Sequence, residues 1–394
     1  MRPRMLVPFL AFLAALALAC QRSTPPPQAP SPKPGPAKAA LAPAPSAQAP
    51  VETERSVRLT ADARLLAGLP VAGGEPWASI QAGPAWKAHA KSLGTLWSQH
   101  EKARLSKVRR WADGHLGAVR ASSSTVFYPF GGPDALYATA FFPEASTYVL
   151  VGLEPTGTAP DLGALSPEDL AASLKDMETY ITPILQISFF RTDDMETELS
   201  DKGTVPILMT FLAGTGHRIL DVRPVALAAD GTPVEAGGPG ASRAARIDFV
   251  QEGGSRVQRL YYFSQDLSDA ALKKAPEFVA FLDHMDRPAT FLKAASYLMF
   301  RPHFSVVRTF VLTQTASVLQ DDSGIPLRCF APGKWDLQFY GTYTDPIKRF
   351  KDFKQKDLLE AYHGAGAVSP LDFGIGYQHH AGQSNLMFAV ARAR

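Results

Sequence analysis

The stretch that decides the fold is "TVFYPFGGPDALYATAFFP", residues 125–143. A run rich in Val, Phe and Tyr enters a turn formed by Gly131, Gly132 and Pro133, and a second apolar run leaves that turn. The pattern predicts a β-strand, a glycine turn and a further apolar stretch. Asp134 stands at the tip of the turn among aromatic side chains. Its role is open between a turn-forming residue, a catalytic acid and a metal ligand.

A second stretch has a similar arrangement: "ASVLQDDSGIPLRCFAPGKWDLQFYGTYTDP", residues 316–346. Both contain an apolar strand, a turn with Gly and Pro, and a second strand that begins with an aromatic residue, Tyr148 or Trp335. A helix is predicted after each. The likeness suggests an internally duplicated helix-strand-turn-strand-helix unit, although chance similarity between two such segments is the alternative.

Polar side chains are concentrated directly after the apolar strand of the second stretch, in greater number than a turn requires. If the two stretches pair, these side chains and Asp134 converge on one cleft. Paired carboxylates in aromatic surroundings suit glycoside cleavage, in which one acid protonates the leaving group and the other assists attack. The candidate cleft consists of Tyr128, Asp134, Gln320, Asp321, Asp322 and Ser323.

The remaining patterns predict both helices and strands. Apolar residues spaced by three and four from residue 84 predict one helix, or two helices broken near Gly94. Ser166 followed by Pro167 predicts a helix start. The further predictions are strands in "ILQISFF", "HRILDVRPVAL", "ARIDFV" and "RVQRLYYFS", helices in "VPILMTFLA" and near 275–300, and two strands in "FGIGYQHHAGQSNLMFAVA". The sequence therefore predicts an α+β or α/β fold in a single large globular body.

The N-terminus has the pattern of a signal peptide. Arg2 and Arg4 precede an apolar run at residues 6–18, and small residues lead to Cys20. A cysteine at this position resembles the lipobox of bacterial lipoproteins, in which the thiol is acylated, for example with palmitate. Gln21 resembles the sorting pattern for the outer membrane. The alternative is an ordinary secretory signal with a chance cysteine.

A proline-rich segment follows Cys20. Ten of residues 21–50 are proline, and such a composition cannot bury enough apolar surface to fold. We therefore expect a disordered tether between a lipid anchor and the globular body. The expected organisation is a signal peptide at 1–19, a tether at 20–55 and a globular domain at 56–394, with possible halves at 84–230 and 243–394.

Composition and charge exclude some partners. The chain of 394 residues is 46% hydrophobic and 20% charged, which is ordinary for a globular protein. Without Arg2 and Arg4, 38 basic residues face 37 acidic residues, so no electrostatic footprint for nucleic acid exists. Cys329 is expected to be a buried structural thiol, since an acylated Cys20 leaves it no partner within the chain.

Standard catalytic and cofactor motifs are not found in the sequence. It has no phosphate-binding loop, no GxSxG elbow, no strand-embedded GxGxxG and no HExxH. A metal site and a cofactor are therefore not expected. Ser323 in "DDSG" would need a base to act as a nucleophile. His379 and His380 are adjacent, so on a strand they would face opposite sides.

The motifs "FYPFGGPDALYATAFFP", "YVLVGLEP", "LQDDSGIP" and "SNLMFAVA" together resemble a family of cell-envelope lipoproteins of myxobacteria and other diderm bacteria. The resemblance covers most of residues 85–394. It implies a location at the cell envelope, in the outer membrane, and it implies no activity.

Two functions remain open from the sequence. The preferred hypothesis is a binding or assembly role at the membrane surface, with a glycan or an envelope protein as the partner and the lipid anchor as the contact with the membrane. The alternative is a hydrolase that acts on cell-wall or surface polysaccharide through paired carboxylates.

Overall fold

The fold is built on a mixed ten-stranded β-sheet. A computed structural model describes residues 52–189, 203–237, 242–364 and 368–392. The predicted signal peptide, Cys20 and nearly all of the predicted tether lie outside the described residues. The strands are β1 (Thr125–Tyr128), β2 (Thr147–Gly152), β3 (His217–Leu227), β4 (Pro233–Glu235), β5 (Ala244–Gln251), β6 (Val257–Ser264), β7 (Ala289–Leu292), β8 (Ser317–Gln320), β9 (Trp335–Gly341) and β10 (Asn385–Ala391).

The sheet has a parallel centre and antiparallel flanks. Its strand order is β4-β3-β5-β6-β2-β1-β7-β8-β10-β9, and the strands from β6 to β8 run parallel. Strands β5 and β6, both predicted from the sequence, form an antiparallel hairpin, and β10 is antiparallel to both β8 and β9. Strands of both predicted halves belong to this one sheet, so the chain has one mixed α/β globular body.

Helices cover both faces of the sheet. The helices before β3 are α1 (Glu54–Leu66), α2 (Trp77–Ala82), α3 (Pro84–His100), α4 (Ser106–His115), α5 (Gly117–Ser122), α6 (Ala135–Phe141), α7 (Pro167–Ile187) and α8 (Val205–Gly214). Those after β6 are α9 (Asp269–Leu272), α10 (Pro276–Asp283), α11 (Ser305–Gln314) and α12 (Lys356–His363). Among the described residues, no helix is long and apolar enough to span a membrane.

Alternate residues of the central strands face two separate cores. Val126 and Tyr128 of β1 join the core that contains α6, whereas Phe127 joins the core that contains α11. Every residue of β1 is buried, which is why the strand reads as a continuous apolar run instead of an alternating one.

The connections at the centre of the sheet define a topological switch point. The crossover from β1 through α6 to β2 runs on one face, and the crossover from β7 through α11 to β8 runs on the other face. Strands β1 and β7 are adjacent, so the chain leaves this pair in opposite directions. In open α/β sheets the crevice beside the carboxyl ends of such a pair is the usual place for a ligand.

Several local predictions are confirmed. Helix α7 begins where Ser166 accepts a hydrogen bond from the Asp169 N–H, and Pro167 occupies the first helical position. Strand β3 and helix α8 cover "HRILDVRPVAL" and "VPILMTFLA". Helix α1 begins at Glu54 and is capped by Thr53, so it includes the last two residues of the predicted tether.

Other local predictions are wrong. "ILQISFF" continues helix α7 to Ile187, because Ile181, Ile184 and Leu185 are spaced to face one core. The helix predicted from residue 84 does form, as α3, and only the alternative of a break near Gly94 is wrong. The helix geometry changes later, in a π-helical turn at Glu101–Leu105.

Two further predictions, in the second half of the chain, are confirmed only in part. The region near 275–300 contains the central strand β7 as well as helix α10. Only β10 forms in the C-terminal stretch. His379 and His380 lie on irregular backbone, with ring centroids 4.2 Å apart, and not on opposite sides of a strand.

The two stretches that suggested a duplication fold differently. In the first, the apolar run after the turn is helix α6, so β1 and β2 are adjacent parallel strands. In the second, β10 lies between β8 and β9 in the sheet. The loop that connects β8 to β9 contains a short 3₁₀ turn at Leu327–Cys329. Two adjacent parallel strands need a crossover connection between them, and only the first stretch contains a helix that forms one. The structure thus shows no repeated unit here.

Burial of Asp62 in α1 predicts a pH-dependent stability. Neither carboxylate oxygen has a hydrogen-bond partner among the described residues. Burial, and next the charge of Asp161, raises the pKa of Asp62 to about 7, an effect that the nearby Leu162 amide and Arg58 only partly offset. The folded state therefore favours the protonated form, so this residue lowers the stability of the protein as the pH rises from about 4 to about 7.

We expect Asp62→Asn to stabilise the protein at pH 8 by up to about 4 kcal/mol, since the pKa of Asp62 is raised from 3.8 to about 7 and one pKa unit corresponds to about 1.4 kcal/mol. The gain should vanish near pH 4, where the wild-type carboxyl group is already protonated. Urea denaturation of both proteins at the two pH values measures the difference. An equal effect of the substitution at both values would contradict the assignment.

Candidate functional site

Charged side chains meet at the carboxyl ends of the central parallel strands. Asp134 follows β1, Glu154 follows β2, Lys293 follows β7, and Asp321 follows β8. Parallel strands place these ends along the same edge of the sheet, so residues far apart in sequence come together there. All four side chains are buried.

Asp134 and Lys293 form a buried ion pair at the switch point. Lys293 Nζ lies 2.7 Å from Asp134 Oδ2, and the two side chains are only 2% and 1% exposed. Lys293 also donates a hydrogen bond to the Ser188 carbonyl oxygen, and Nζ lies 3.9 Å from the centroid of the Tyr137 ring. Burial lowers the pKa of Lys293, and the charges of Asp134 and Asp321 oppose that effect.

The role of Asp134 in the opening stretch follows from its contacts. Asp134 Oδ1 accepts the Tyr137 backbone N–H at 3.1 Å and caps helix α6, while Oδ2 accepts the Tyr128 hydroxyl at 2.9 Å. The residue is a helix cap and the partner of a buried cation. It is not at the tip of a β-turn, because the apolar run after it is helical.

Glu154 is a buried carboxylate with a different environment. Its Oε2 accepts the Leu153 N–H at 3.1 Å and the Tyr262 hydroxyl at 3.0 Å. Burial, and then the charge of Glu154, raises the pKa of Tyr262 well above its ordinary value, which keeps Tyr262 a hydrogen-bond donor. Among the described residues, no cation forms an ion pair with Glu154. Both of its described donors, the Leu153 amide and the Tyr262 hydroxyl, are neutral.

Glycine is required beside Glu154. A Cβ atom on Gly152 would lie 2.3 Å from Glu154 Oε2 and 2.7 Å from the Tyr262 hydroxyl oxygen. The backbone of β2 therefore approaches the carboxylate more closely than any residue with a side chain would allow.

Two adjoining cavities open at this edge. A small one of about 40 Å³ is bordered by Asp134, Glu154 and Lys293. A larger one of about 190 Å³ has mostly apolar walls and shares four residues with the first. The shared residues are Phe130, Gly132, Glu154 and Ala294. Glu154 thus lies where the polar cavity and the apolar cavity meet.

Unusual backbone conformations are concentrated around these cavities. Among the described residues, six that are not glycine have positive φ. Only one of them, Arg287, lies away from the site. The other five are Phe130, Ser188, Ala294, Ser296 and Tyr297, which border a cavity or contact Lys293 or Asp322. Such conformations cost about 1–3 kcal/mol each and cluster at functional sites.

The acidic pair of the second stretch is close by but enclosed. Asp321 accepts the Ala294 N–H at 2.8 Å and the Ser323 N–H at 3.0 Å. Asp322 accepts the Tyr297 hydroxyl and the Asn385 side-chain amide. Burial raises the pKa of both carboxyl groups, and Asp322 adds to the effect on Asp321. Neither residue borders the two cavities at this edge.

The other two members of the predicted cleft have structural contacts. Gln320 exchanges hydrogen bonds with the Ile325 backbone, at 2.7 and 2.9 Å, and closes the loop after β8. Ser323 is fully buried, donates to Asp321 and accepts the Ala295 N–H at 2.7 Å. No histidine contacts it among the described residues, so the geometry gives a serine nucleophile no support.

The structure therefore divides the six predicted cleft residues. Tyr128 and Asp134 border the small cavity, whereas Gln320, Asp321, Asp322 and Ser323 lie buried beside it. Sequence reasoning missed Lys293 and the role of Glu154. Their positions were an available signal. Lys293 directly follows β7, and Glu154 lies two residues after the end of β2.

The part of the chain that the structure describes contains no group of three or more His, Cys, Asp or Glu residues arranged to hold a metal ion. Cys329 is a free, half-buried thiol that packs against the core containing α11. Comparison of the chain with family models, curated proteins and solved structures gives no significant match.

Proposed function

We propose that this protein is a lipid-anchored cell-envelope protein that binds a small ligand at the carboxyl edge of its central strands. The observation that carries the binding role is the pair of adjoining cavities at the switch point between β1 and β7. A largely apolar pocket with a few fixed polar groups is the usual form of a small-molecule site.

Two further observations support a ligand at this edge. The buried pair of Asp134 and Lys293 fixes the polar end of the site. Phe130, Ala294 and Ser296, which border the larger cavity, have positive φ values. Such backbone conformations cost stability and cluster at functional sites.

Hydrolysis of a polysaccharide has less support from the geometry. A glycosidase needs two carboxyl groups that face the sugar from opposite sides of the scissile bond. Asp321 and Asp322 instead accept hydrogen bonds from the protein itself and border neither cavity at this edge. Asp134 is occupied by Lys293.

The location at the envelope is proposed from the sequence. The positive N-terminus, the short apolar run, Cys20 and the proline-rich segment together have the layout of an acylated protein on a tether. The outer membrane is the proposed membrane, from the residue after Cys20.

The binding role is tested by filling the larger cavity. Leu298 is half-buried and borders it, so Leu298→Trp should occupy much of its volume. We expect small molecules from a fragment screen to raise the melting temperature of the full-length wild-type protein by several degrees. The same molecules should have no effect on Leu298→Trp.

A matched substitution controls for the added tryptophan. Leu165 is 38% exposed and borders neither cavity, so Leu165→Trp should keep the response to every fragment. Circular dichroism checks that both variants fold. A screen without any stabilising fragment, or fragments that still stabilise Leu298→Trp, would overturn the proposal.

A further inference from the structure

The charge balance of the site points to a class of ligand, an inference that rests on the proposed binding function. We infer that the ligand is a small cation, a protonated amine attached to an apolar body, with the ammonium group against Glu154 and the apolar body in the larger cavity.

The first step is the carboxylate itself. Glu154 is 6% exposed, and both hydrogen bonds that it accepts from the described residues go to Oε2. The second oxygen, Oε1, accepts no hydrogen bond from the described residues, and Glu154 borders both cavities. Because Glu154 has no ion-pair partner among the described residues, an ammonium group bound beside it would compensate a buried charge through charge-assisted hydrogen bonds.

The second step concerns Lys293, the cation of the same small cavity. Its ammonium group is 2.7 Å from Asp134 and donates to the Ser188 carbonyl oxygen, so its charge is already compensated. Asp321 adds further attraction at Lys293. Lys293 thus neither neutralises Glu154 through an ion pair nor presents an unpaired charge that would exclude an ammonium group.

The third step is the larger cavity. Its walls include Val151, Leu267, Leu298 and Phe304, which suit an apolar group. Asp266 is exposed at its border and adds a second negative charge. The cavity volume of about 190 Å³ is sufficient for one aromatic ring, since a cavity of about 150 Å³ in another protein holds benzene.

These features favour a cation over a neutral or anionic molecule of the same shape. An anion would meet Glu154 and Asp266, and a neutral molecule would leave the Glu154 charge unpaired. The ligand class therefore differs from the glycans expected from the sequence, which carry hydroxyl groups over most of their surface.

Three probes of one shape test the inference: benzylammonium, benzyl alcohol and benzoate. Isothermal titration of the full-length wild-type protein should show benzylammonium binding at least tenfold more tightly than benzyl alcohol, with no binding of benzoate. Glu154→Gln should bring benzylammonium to within about threefold of benzyl alcohol. The affinity for benzyl alcohol should not change, because Gln keeps an acceptor for Tyr262.

Asp266→Asn is the matched control, since it removes a carboxylate at the exposed border. It should weaken benzylammonium binding by less than threefold, and added salt should abolish that effect. Equal binding of the ammonium and the alcohol by the wild type would overturn the amine assignment and leave the binding function standing. Binding of none of the probes would overturn the inference, while the fragment screen with Leu298→Trp would still decide the binding function separately. A Glu154→Gln variant that folds and keeps the preference for the ammonium would also overturn it.

Discussion

Replacing Lys293 by methionine is expected to lower the free energy of unfolding by about 3–5 kcal/mol, the usual cost of breaking a buried ion pair by removing one partner. Methionine keeps the length and the apolar stem of lysine, so packing changes little. The loss arises because Asp134 would keep its hydrogen bonds to Tyr128 and Tyr137 but would be a buried charge without a cation. Urea denaturation followed by circular dichroism measures it.

A double substitution separates the charge from the packing. Asp134→Asn in the Lys293→Met background removes the remaining charge and keeps an oxygen that can accept the Tyr137 N–H. We expect it to recover most of the lost stability, because a neutral replacement of a whole buried pair is often tolerated. A loss below about 1 kcal/mol for Lys293→Met would show that the pair contributes little to stability. A double variant as unstable as the single one would show that the loss comes from packing and not from the unpaired charge of Asp134.

The ion pair also connects stability with the proposed site. Asp134 caps α6 and Lys293 ends β7, so the pair joins the two crossover connections that leave the switch point in opposite directions. A folded double variant should therefore retain the sheet but have a less rigid polar end of the cavity.

The strands of the sheet were predictable where their local pattern was unambiguous. The β5 and β6 hairpin, β3 and the start of α7 follow from β-branched runs, glycine-rich breaks and a Ser-Pro cap. Each of these signals lies within a few residues of the element that it specifies, so no long-range information was needed.

The apolar runs of the central region could not be assigned in the same way. Every residue of helix α6 is buried, so neither a period of two nor a period of 3.6 is clear in its sequence. The end of α7 does have helical spacing, but its β-branched residues are also typical of a strand. The difference between a returning strand and a crossover helix at residues 135–141 depends on β1 and β2 being parallel, which is a property of the whole sheet.

The candidate site was predictable only in part, for a related reason. Asp134 attracted notice because an acid among aromatic residues is unusual. Lys293 did not, since a single lysine after an apolar run normally reaches solvent. Its burial follows from the adjacency of β1 and β7, whose sequences are more than 150 residues apart. Glu154 stands directly before Pro155, and nothing else in its local sequence marks it.

The anchoring proposal leads to an all-or-none expectation. Cys20→Ser should release the protein from the membrane fraction, because a single thiol would carry all of the proposed lipid and serine cannot be acylated in its place. Loss of the site should therefore remove membrane association nearly completely, and the variant should appear in the soluble fraction.

Cys329→Ser is the matched control for this experiment. Cys329 is half-buried in the globular body, in the short 3₁₀ turn before β9, so its replacement removes a thiol without affecting the proposed lipid. We expect the wild type and Cys329→Ser to incorporate labelled palmitate and to sediment with membranes, and Cys20→Ser to do neither. A wild type without label would refute acylation. A Cys20→Ser variant that still sediments with membranes would mean that another part of the chain holds the protein there. The lipid anchor would then be refuted, and the proposed ligand site would stand or fall by its own test.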